Sequence, residues 1–307
     1  MTTVHIVGRG IVGTRLRRLL DTGPVMLHDG YWPDISGTSP GDVVVLAHGG
    51  SVAERVRRLA ARGLHVVTVG DALPDTISLL DDPPEHQGTS IVLGAALSPG
   101  LSGLIARHLA NQMASVDEIH VAIHGTAGPA CARVHHRSLS GLSPGFRDGE
   151  WIDFVGGSGR ELCWFPEPIG AKDCYRARIS SPYVLQHAFD DVSRISARRS
   201  ARRRDRFTAW LPMLRPPHPE GGVGGLRVEV RGADERGARV VAIAGIAELV
   251  GTAAAATAAA FVTGLLDGLL HEGIVVAGDA ELPTVELLAR VESAGVRLQE
   301  FTGIPQR

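Results

Sequence analysis

TVHIVGRGIVG, residues 3–13 of the chain, is an apolar run that ends in a G-x-G-x-x-G motif and passes directly into TRLRRLL, residues 14–20. This order predicts a strand, a tight turn and an amphipathic helix. In such a unit Gly8 allows the sharp turn, Gly10 lets a pyrophosphate approach the backbone, and Gly13 lets the helix lie close to the strand. The helix N-terminus offers that pyrophosphate free N–H groups and a partial positive charge.

Glycine is frequent in this chain, with 38 residues among 307, so the same spacing also arises by chance in loops that bind no ligand. The position of the motif decides between these interpretations. It lies between an apolar strand and an amphipathic helix, which is the context that favours dinucleotide binding.

The composition excludes several classes of protein. A length of 307 residues favours about two domains, and 44% hydrophobic with 21% charged residues is typical of a globular protein that is neither disordered nor membrane-embedded. A net charge of −2 gives no general attraction to nucleic acid. No signal peptide is recognisable, and three cysteines without C-x-x-C spacing favour free thiols in a reducing compartment. We therefore expect a cytoplasmic protein.

Strand-like and helix-like segments alternate through the first 114 residues. Further apolar runs with the character of strands lie at 24–29, 42–47, 64–69 and 90–96. A helix through Arg62 follows the third strand, with Ser51 as its expected N-cap. This alternation predicts an α/β fold with a Rossmann-type, doubly wound parallel sheet over residues 1–114. Ligands of such sheets bind beyond the carboxyl ends of the strands.

The predicted second strand ends at Asp29, 21 residues beyond Gly8. A carboxylate at this position accepts a hydrogen bond from the ribose 2′-OH, and no arginine follows that would pair with a 2′-phosphate, so NAD is favoured over NADP. The alternative is that Asp29 only begins a turn. The residues expected to hold the dinucleotide are Gly8, Arg9, Gly10, Ile11, Val12, Gly13, Asp29, His48, Gly49, Gly70, Pro99 and Gly100.

The pattern changes near Ser115, and residues 115–270 predict an α+β domain with a mostly antiparallel sheet. Within it, the Arg-rich segment 194–206 predicts a helix with a solvated basic face, and no nucleic-acid-binding module accompanies it. The Ala-rich run 250–270 is long enough to span a membrane, but its threonines and Asp267 favour a packed helix, so no membrane partner is expected. Residues 271–307 predict a segment that returns to the first domain.

Several stretches carry a family resemblance: the glycine motif 8–13, GAALSPGLSGLIARHL at 94–109, WFPEPIGAKDC at 164–174, and the tail with GDAE at 278–281 and GVRL at 295–298. Together they resemble the saccharopine dehydrogenase-like family of NAD(P)-dependent oxidoreductases. The resemblance implies a Rossmann domain, an inserted α+β domain used for substrate and often for dimerisation, and a C-terminal return to the first domain. It also implies a homodimer that reduces an imine, or an activated double bond as some relatives do.

Hydride transfer needs orientation, electrostatics and a proton source from the protein, because the cofactor carries the hydride. His124 ends the first strand of the second domain and is one candidate acid or base, with a structural histidine as the alternative. Lys172, the single lysine beside 30 arginines, is the other. It would donate a proton or pair with a substrate carboxylate, unless it is a loop lysine that balances Asp173.

The pair His135 and His136 could line the same cleft, but it lacks a spaced third ligand, so no metal is expected. The sequence thus predicts a reductase or dehydrogenase that acts on a small metabolite at a C–N bond or an activated double bond. The alternative is a sensor or assembly partner that binds the dinucleotide without turnover. No motif identifies the substrate, and lysine metabolism, polyamine synthesis and specialised-metabolite assembly all remain open.

Overall fold

Short buried runs of valine, isoleucine and leucine form the strands of one parallel sheet. The structure, a computed structural model, describes residues 2–20, 24–28, 37–70, 72–85, 88–213 and 216–301. The strands of this sheet are β1 (Val4–Val7), β2 (Val25–His28), β3 (Val43–Leu46), β4 (His65–Thr68), β5 (Ser90–Leu93) and β14 (Gly273–Val276). They are all parallel and lie in the order β14-β5-β4-β3-β1-β2, so strand β14 brings the chain back to this sheet beside β5.

Helices cover both faces of the parallel sheet. The helices of the described chain are α1 (Ile11–Leu19), α2 (Ala53–Ala60), α3 (Leu73–Asp81), α4 (Leu101–Ala110), α5 (Pro129–Ser138), α6 (Ser181–Ala188), α7 (Asp205–Thr208), α8 (Val250–Leu266) and α9 (Thr284–Ser293). Because side chains alternate along a strand, Val43 and Val45 pack with α1, α4, α8 and α9, whereas Val44 and Leu46 pack with α2 and α3. The predicted doubly wound α/β architecture is therefore confirmed.

A second sheet of nine strands is mostly antiparallel, as predicted. Its strands are β6 (Ser115–His124), β7 (Leu142–Arg147), β8 (Glu150–Val155), β9 (Glu161–Phe165), β10 (Gly170–Arg176), β11 (Arg194–Ser200), β12 (Val223–Ala233), β13 (Arg239–Leu249) and β15 (Gln299–Glu300). The order β15-β13-β12-β6-β11-β10-β9 forms its main path, while β7 pairs with β11 and with β8. One face of this sheet shares a continuous apolar core with the first sheet, and α8 contacts strands of both.

The prediction of a helix over residues 194–206 is wrong, because residues 194–200 form strand β11. Ile195, Ala197 and Arg199 are buried and the residues between them are half-buried, which is the period of a strand. Strand β11 lies beside β6, in parallel, within the second sheet. Helical structure in this segment is limited to the single turn α7.

Two smaller predictions also differ from the structure. Ser51 does not cap helix α2, whose N-cap is Val52, and its hydroxyl instead donates to Asp75. The segment predicted to return to the first domain does not end there, because its last strand, β15, pairs with β13 of the second sheet. Within the described residues, no helix combines the length and the apolar character that crossing a membrane requires.

Candidate functional site

A cleft of about 550 Å³ opens at the carboxyl ends of the parallel strands. It lies where the strand order reverses, because β2 adjoins β1 on one side and β3 adjoins it on the other. The loops that follow β1 and β3 form one wall, and residues of β6, β11, α5 and α8 form the opposite wall. The crevice at such a switch point is the usual ligand site of an open α/β sheet.

Two of the three motif glycines are required by the fold itself. Gly8 has φ +125°, and a Cβ there would stand 2.4 Å from the carbonyl oxygen of Ala47. A Cβ on Gly13 would stand 1.9 Å from the carbonyl oxygen of Gly8. These contacts bring α1 close to strands β1 and β3, so both glycines would be needed with or without a ligand.

Gly10 differs from the other two motif glycines, because nothing in the protein requires it. No heavy atom lies within 4 Å of a Cβ built on Gly10, and its φ of −73° and ψ of −173° are accessible to any residue. The position lines the cleft and is the N-cap of α1, whose first turn has no acidic residue and whose N-cap makes no side-chain hydrogen bond. The open backbone and the positive end of the helix therefore fit the pyrophosphate of a dinucleotide.

His48 lines the cleft just after β3, with both of its ring nitrogens occupied. Nδ1 lies 2.9 Å from the carbonyl oxygen of Gly49, and Nε2 lies 2.7 Å from Nη1 of Arg55. A carbonyl only accepts and a guanidinium only donates, so Nδ1 carries the proton and the ring is neutral. Burial lowers the pKa of His48, and the charge of Arg55 acts in the same direction. This histidine therefore shapes the loop, and neither ring nitrogen is available for proton transfer.

Asp75 holds the loop that follows His48. Its two carboxylate oxygens accept hydrogen bonds from the Ser51 hydroxyl, at 2.7 Å, and from the backbone N–H of Val52, at 2.6 Å. The carboxylate is buried, belongs to α3 and satisfies an N–H at the start of α2. A residue distant in sequence thus supplies the cap that Ser51 was expected to supply.

The structure brings half of the predicted dinucleotide residues to the cleft wall. Those that line it are Gly10, Ile11, Val12, His48, Gly49 and Gly70. Gly8 and Gly13 pack against each other behind the wall, and Arg9 is exposed in the turn between them. Pro99 and Gly100 are buried where α4 begins, and the preceding Ser98 lines the cleft. Asp29 lies outside the described residues.

His124 and Lys172 lie close together, on the face of the second sheet opposite the cleft. Ile123 lines the cleft, so the next residue of β6 points to the other face. There His124 Nδ1 lies 2.7 Å from the Ser200 hydroxyl, and burial together with the positive charge of Lys172 lowers the pKa of His124. Lys172 belongs to strand β10 and not to a loop. Neither residue is among the described residues that line the cleft.

Sequence reasoning missed Arg199 as a site residue. Its side chain lines the cleft and the residue is only 4% exposed. The missed signal was its position: Arg199 follows Ile195 and Ala197 at a spacing of two, so it takes an inward-facing place on β11. A buried guanidinium in a ligand cleft suits recognition of a carboxylate, which it can bind through two parallel hydrogen bonds.

Cys131 and His135 also line the cleft, on helix α5. Their positions differ by four, which brings side chains together on one face of a helix, and Cys131 Sγ lies 3.2 Å from His135 Nε2. The histidine pair at 135 and 136 predicts a place for His135 near the cleft, but no sequence motif marks Cys131 as its partner. Within the described residues, no group of three or more histidine, cysteine, aspartate or glutamate side chains could hold a metal ion.

Comparison with solved structures identifies the fold. The chain is similar to saccharopine dehydrogenase (L-Glu forming) from Saccharomyces cerevisiae, with a TM-score of 0.67 and 10% sequence identity over 98% of this chain and all of that chain. This similarity confirms the predicted saccharopine dehydrogenase-like fold. A meso-DAPDH mutant from Clostridium tetani covers 94% of this chain at 16% identity, with a TM-score of 0.47 over 96% of its own length. No protein-family model matches the sequence, and no curated protein matches it.

Proposed function

We propose that this protein is an NAD(P)-dependent oxidoreductase that reduces an imine or an activated double bond of a small metabolite. The observation that carries this proposal is Gly10, a motif glycine that the fold does not require and that leaves open backbone at the positive end of α1. When bound, the dinucleotide supplies the hydride through its nicotinamide ring. The yeast protein of the same fold is itself a dehydrogenase, which supports this assignment.

Three parts of the chain would hold the dinucleotide. Backbone N–H groups at the start of α1 would bind the pyrophosphate, with Gly10 leaving room for it. The loop from His48 to Ser51 would cover the adjoining ribose, because hydrogen bonds to Arg55 and Asp75 hold it beside the cleft. Asp29 would accept from the ribose 2′-OH, so NAD remains the favoured coenzyme.

Arg199 supports a substrate that carries a carboxylate. It lines the wall opposite the glycine motif, so a substrate carboxylate bound to it would lie across the cleft from the dinucleotide site. Apolar side chains such as Ile123 and Val134 line the same cleft and offer contacts to the apolar part of such a substrate. The substrate class that fits best is a small carboxylate with a C=N or activated C=C bond.

Calorimetric titration with NADH and with NADPH tests the binding half of the proposal. We expect saturable binding of at least one coenzyme, with NADH bound more tightly. The catalytic half is tested by the loss of NADH absorbance at 340 nm when keto acids are offered together with amines. Binding without turnover across such a panel would favour the non-catalytic sensor, and the absence of binding by both coenzymes would overturn the proposal.

A further inference from the structure

The cleft requires a proton source, and its ionisable side chains differ in whether they can serve. Apart from Cys131 and His135, the ionisable side chains of the described cleft wall are His48, Asp75 and Arg199. His48 is neutral and both of its ring nitrogens are hydrogen-bonded. Both carboxylate oxygens of Asp75 accept hydrogen bonds from the loop before α2. Arginine stays protonated in proteins, so Arg199 offers a charge and not a transferable proton.

Cys131 and His135 remain, and their geometry suits proton transfer. The thiol sulfur and Nε2 are 3.2 Å apart, within hydrogen-bonding distance for sulfur. Cys131 is half-buried and is the third residue of α5, so it lies in the first turn of a ten-residue helix. The positive end of the helix stabilises a thiolate, and the same cleft also contains the cationic Arg199.

We propose that Cys131 and His135 form a thiol–imidazole pair that holds and donates the proton for reduction in this cleft. This inference rests on the proposed oxidoreductase function. The substrate double bond receives a hydride on carbon from the bound reduced dinucleotide, and its π electrons take the shared proton on the neighbouring atom. The pair is left as a thiolate beside a neutral imidazole and regains its proton from water.

The other two cysteines provide an internal reference for testing this pair. Cys163 and Cys174 are 4% and 0% exposed and pack together with Phe165 in a separate apolar cluster. A small alkylating reagent should therefore modify Cys131 well before either of them. The neighbouring His136 provides a matched control, because its Nε2 lies 3.0 Å from the carbonyl oxygen of Thr208 and 3.2 Å from that of Leu211, away from the thiol.

The experiment measures the rate of Cys131 alkylation by iodoacetamide against pH, with mass spectrometry to locate the adduct. In the native protein we expect the alkylation rate to reach half its maximum at a pH below about 7.5, whereas an ordinary thiol reaches it at about 8.5. The variant His135→Gln should move the midpoint upward and slow alkylation at pH 7 about tenfold, whereas His136→Gln should leave it unchanged. A midpoint of about 8.5 in the native protein, or a midpoint that His135→Gln does not move, would overturn the proposal of a thiol–imidazole pair.

A second measurement separates this inference from the proposed function. NADH or NADPH at saturating concentration should slow alkylation of Cys131, since the thiol lines the dinucleotide cleft. Coenzyme binding without any effect on the alkylation rate would place Cys131 outside the reaction site and overturn the inference. If calorimetry detects no binding of either coenzyme while the pH midpoint is low, the oxidoreductase proposal fails and the thiol–imidazole pair stands.

Discussion

At Gly13 the chain has no room for a side chain, because a Cβ would stand 1.9 Å from the carbonyl oxygen of Gly8. The backbone fixes the position of a Cβ, and the oxygen it would meet belongs to the backbone, so no change of rotamer relieves the contact. Gly13→Ala should therefore lower the free energy of unfolding by about 1–3 kcal/mol, despite the gain of about 1 kcal/mol in helix propensity. Urea denaturation of the free protein measures this, with Thr14→Ala as control, and unchanged stability would contradict the close packing of α1.

At Gly10 we expect the reverse, a large loss of coenzyme binding with little change in stability. A side chain at this position meets no atom of the protein, so Gly10→Val should lower the free energy of unfolding only through the weaker N-cap preference of valine, by at most about 1 kcal/mol. The valine would occupy the space of the pyrophosphate, and affinity for NADH should fall at least about 100-fold, a loss of roughly 2.7 kcal/mol. Calorimetry and circular dichroism together test this prediction.

Gly222 provides the matched control for Gly10. A Cβ there also meets no atom within 4 Å, and its backbone does not require glycine. Gly222→Val should therefore retain both stability and coenzyme binding. Native affinity in Gly10→Val would show that the dinucleotide does not bind at the opening motif, and the proposed function would lose its main support.

At the scale of secondary-structure elements, Asp75 joins helix α3 to the start of α2. Its loss would leave the Val52 N–H and the Ser51 hydroxyl without this acceptor. We expect Asp75→Ala to lower the free energy of unfolding by about 1–2 kcal/mol, as for loss of a helix cap, and to weaken coenzyme binding through the loop at His48. Asp75→Asn keeps one acceptor oxygen and should lose less. Equal stability of both variants and the native protein would show that the cap contributes nothing.

Strand β11 shows how much an element can depend on its partners. Its sequence contains three arginines among seven residues, a composition that suggested a solvated helix. The pairing with β6 across 76 residues of sequence sets its conformation, and this pairing turns Arg199 into the cleft. The alternation of Ile195, Ala197 and Arg199 is present in the sequence, but three positions are too few to outweigh the composition.

For the whole molecule, buried and half-buried histidines contribute to the response to acid. Burial lowers the pKa of His5, His65 and His120, so the folded protein takes up their protons at lower pH than the unfolded chain does. Below the ordinary value of about 6.5 the unfolded state therefore binds more protons, and stability falls as pH falls. Each histidine contributes a slope of at most about 1.4 kcal/mol per pH unit.

Urea denaturation at pH 8.0, 6.5 and 5.5 tests this response. Stability should fall slightly between the first two values and more steeply between pH 6.5 and 5.5. The variant His120→Gln should show a smaller decrease, because it removes one group that must be protonated on unfolding. Constant or increasing stability toward pH 5.5 would contradict the conclusion that these histidines are harder to protonate in the folded protein than in the unfolded chain.

The sequence by itself determined the opening strand-turn-helix unit, the alternation that forms the parallel sheet, and the place of Gly10 as the motif glycine that leaves room for a pyrophosphate. These features are encoded within a few neighbouring residues, where local periodicity and turn chemistry suffice. Only the tertiary structure decided that His124 faces away from the cleft while Arg199, Cys131 and His135 face into it. The direction of those side chains depends on strand pairing and helix placement between residues far apart in sequence, and such contacts leave no local pattern.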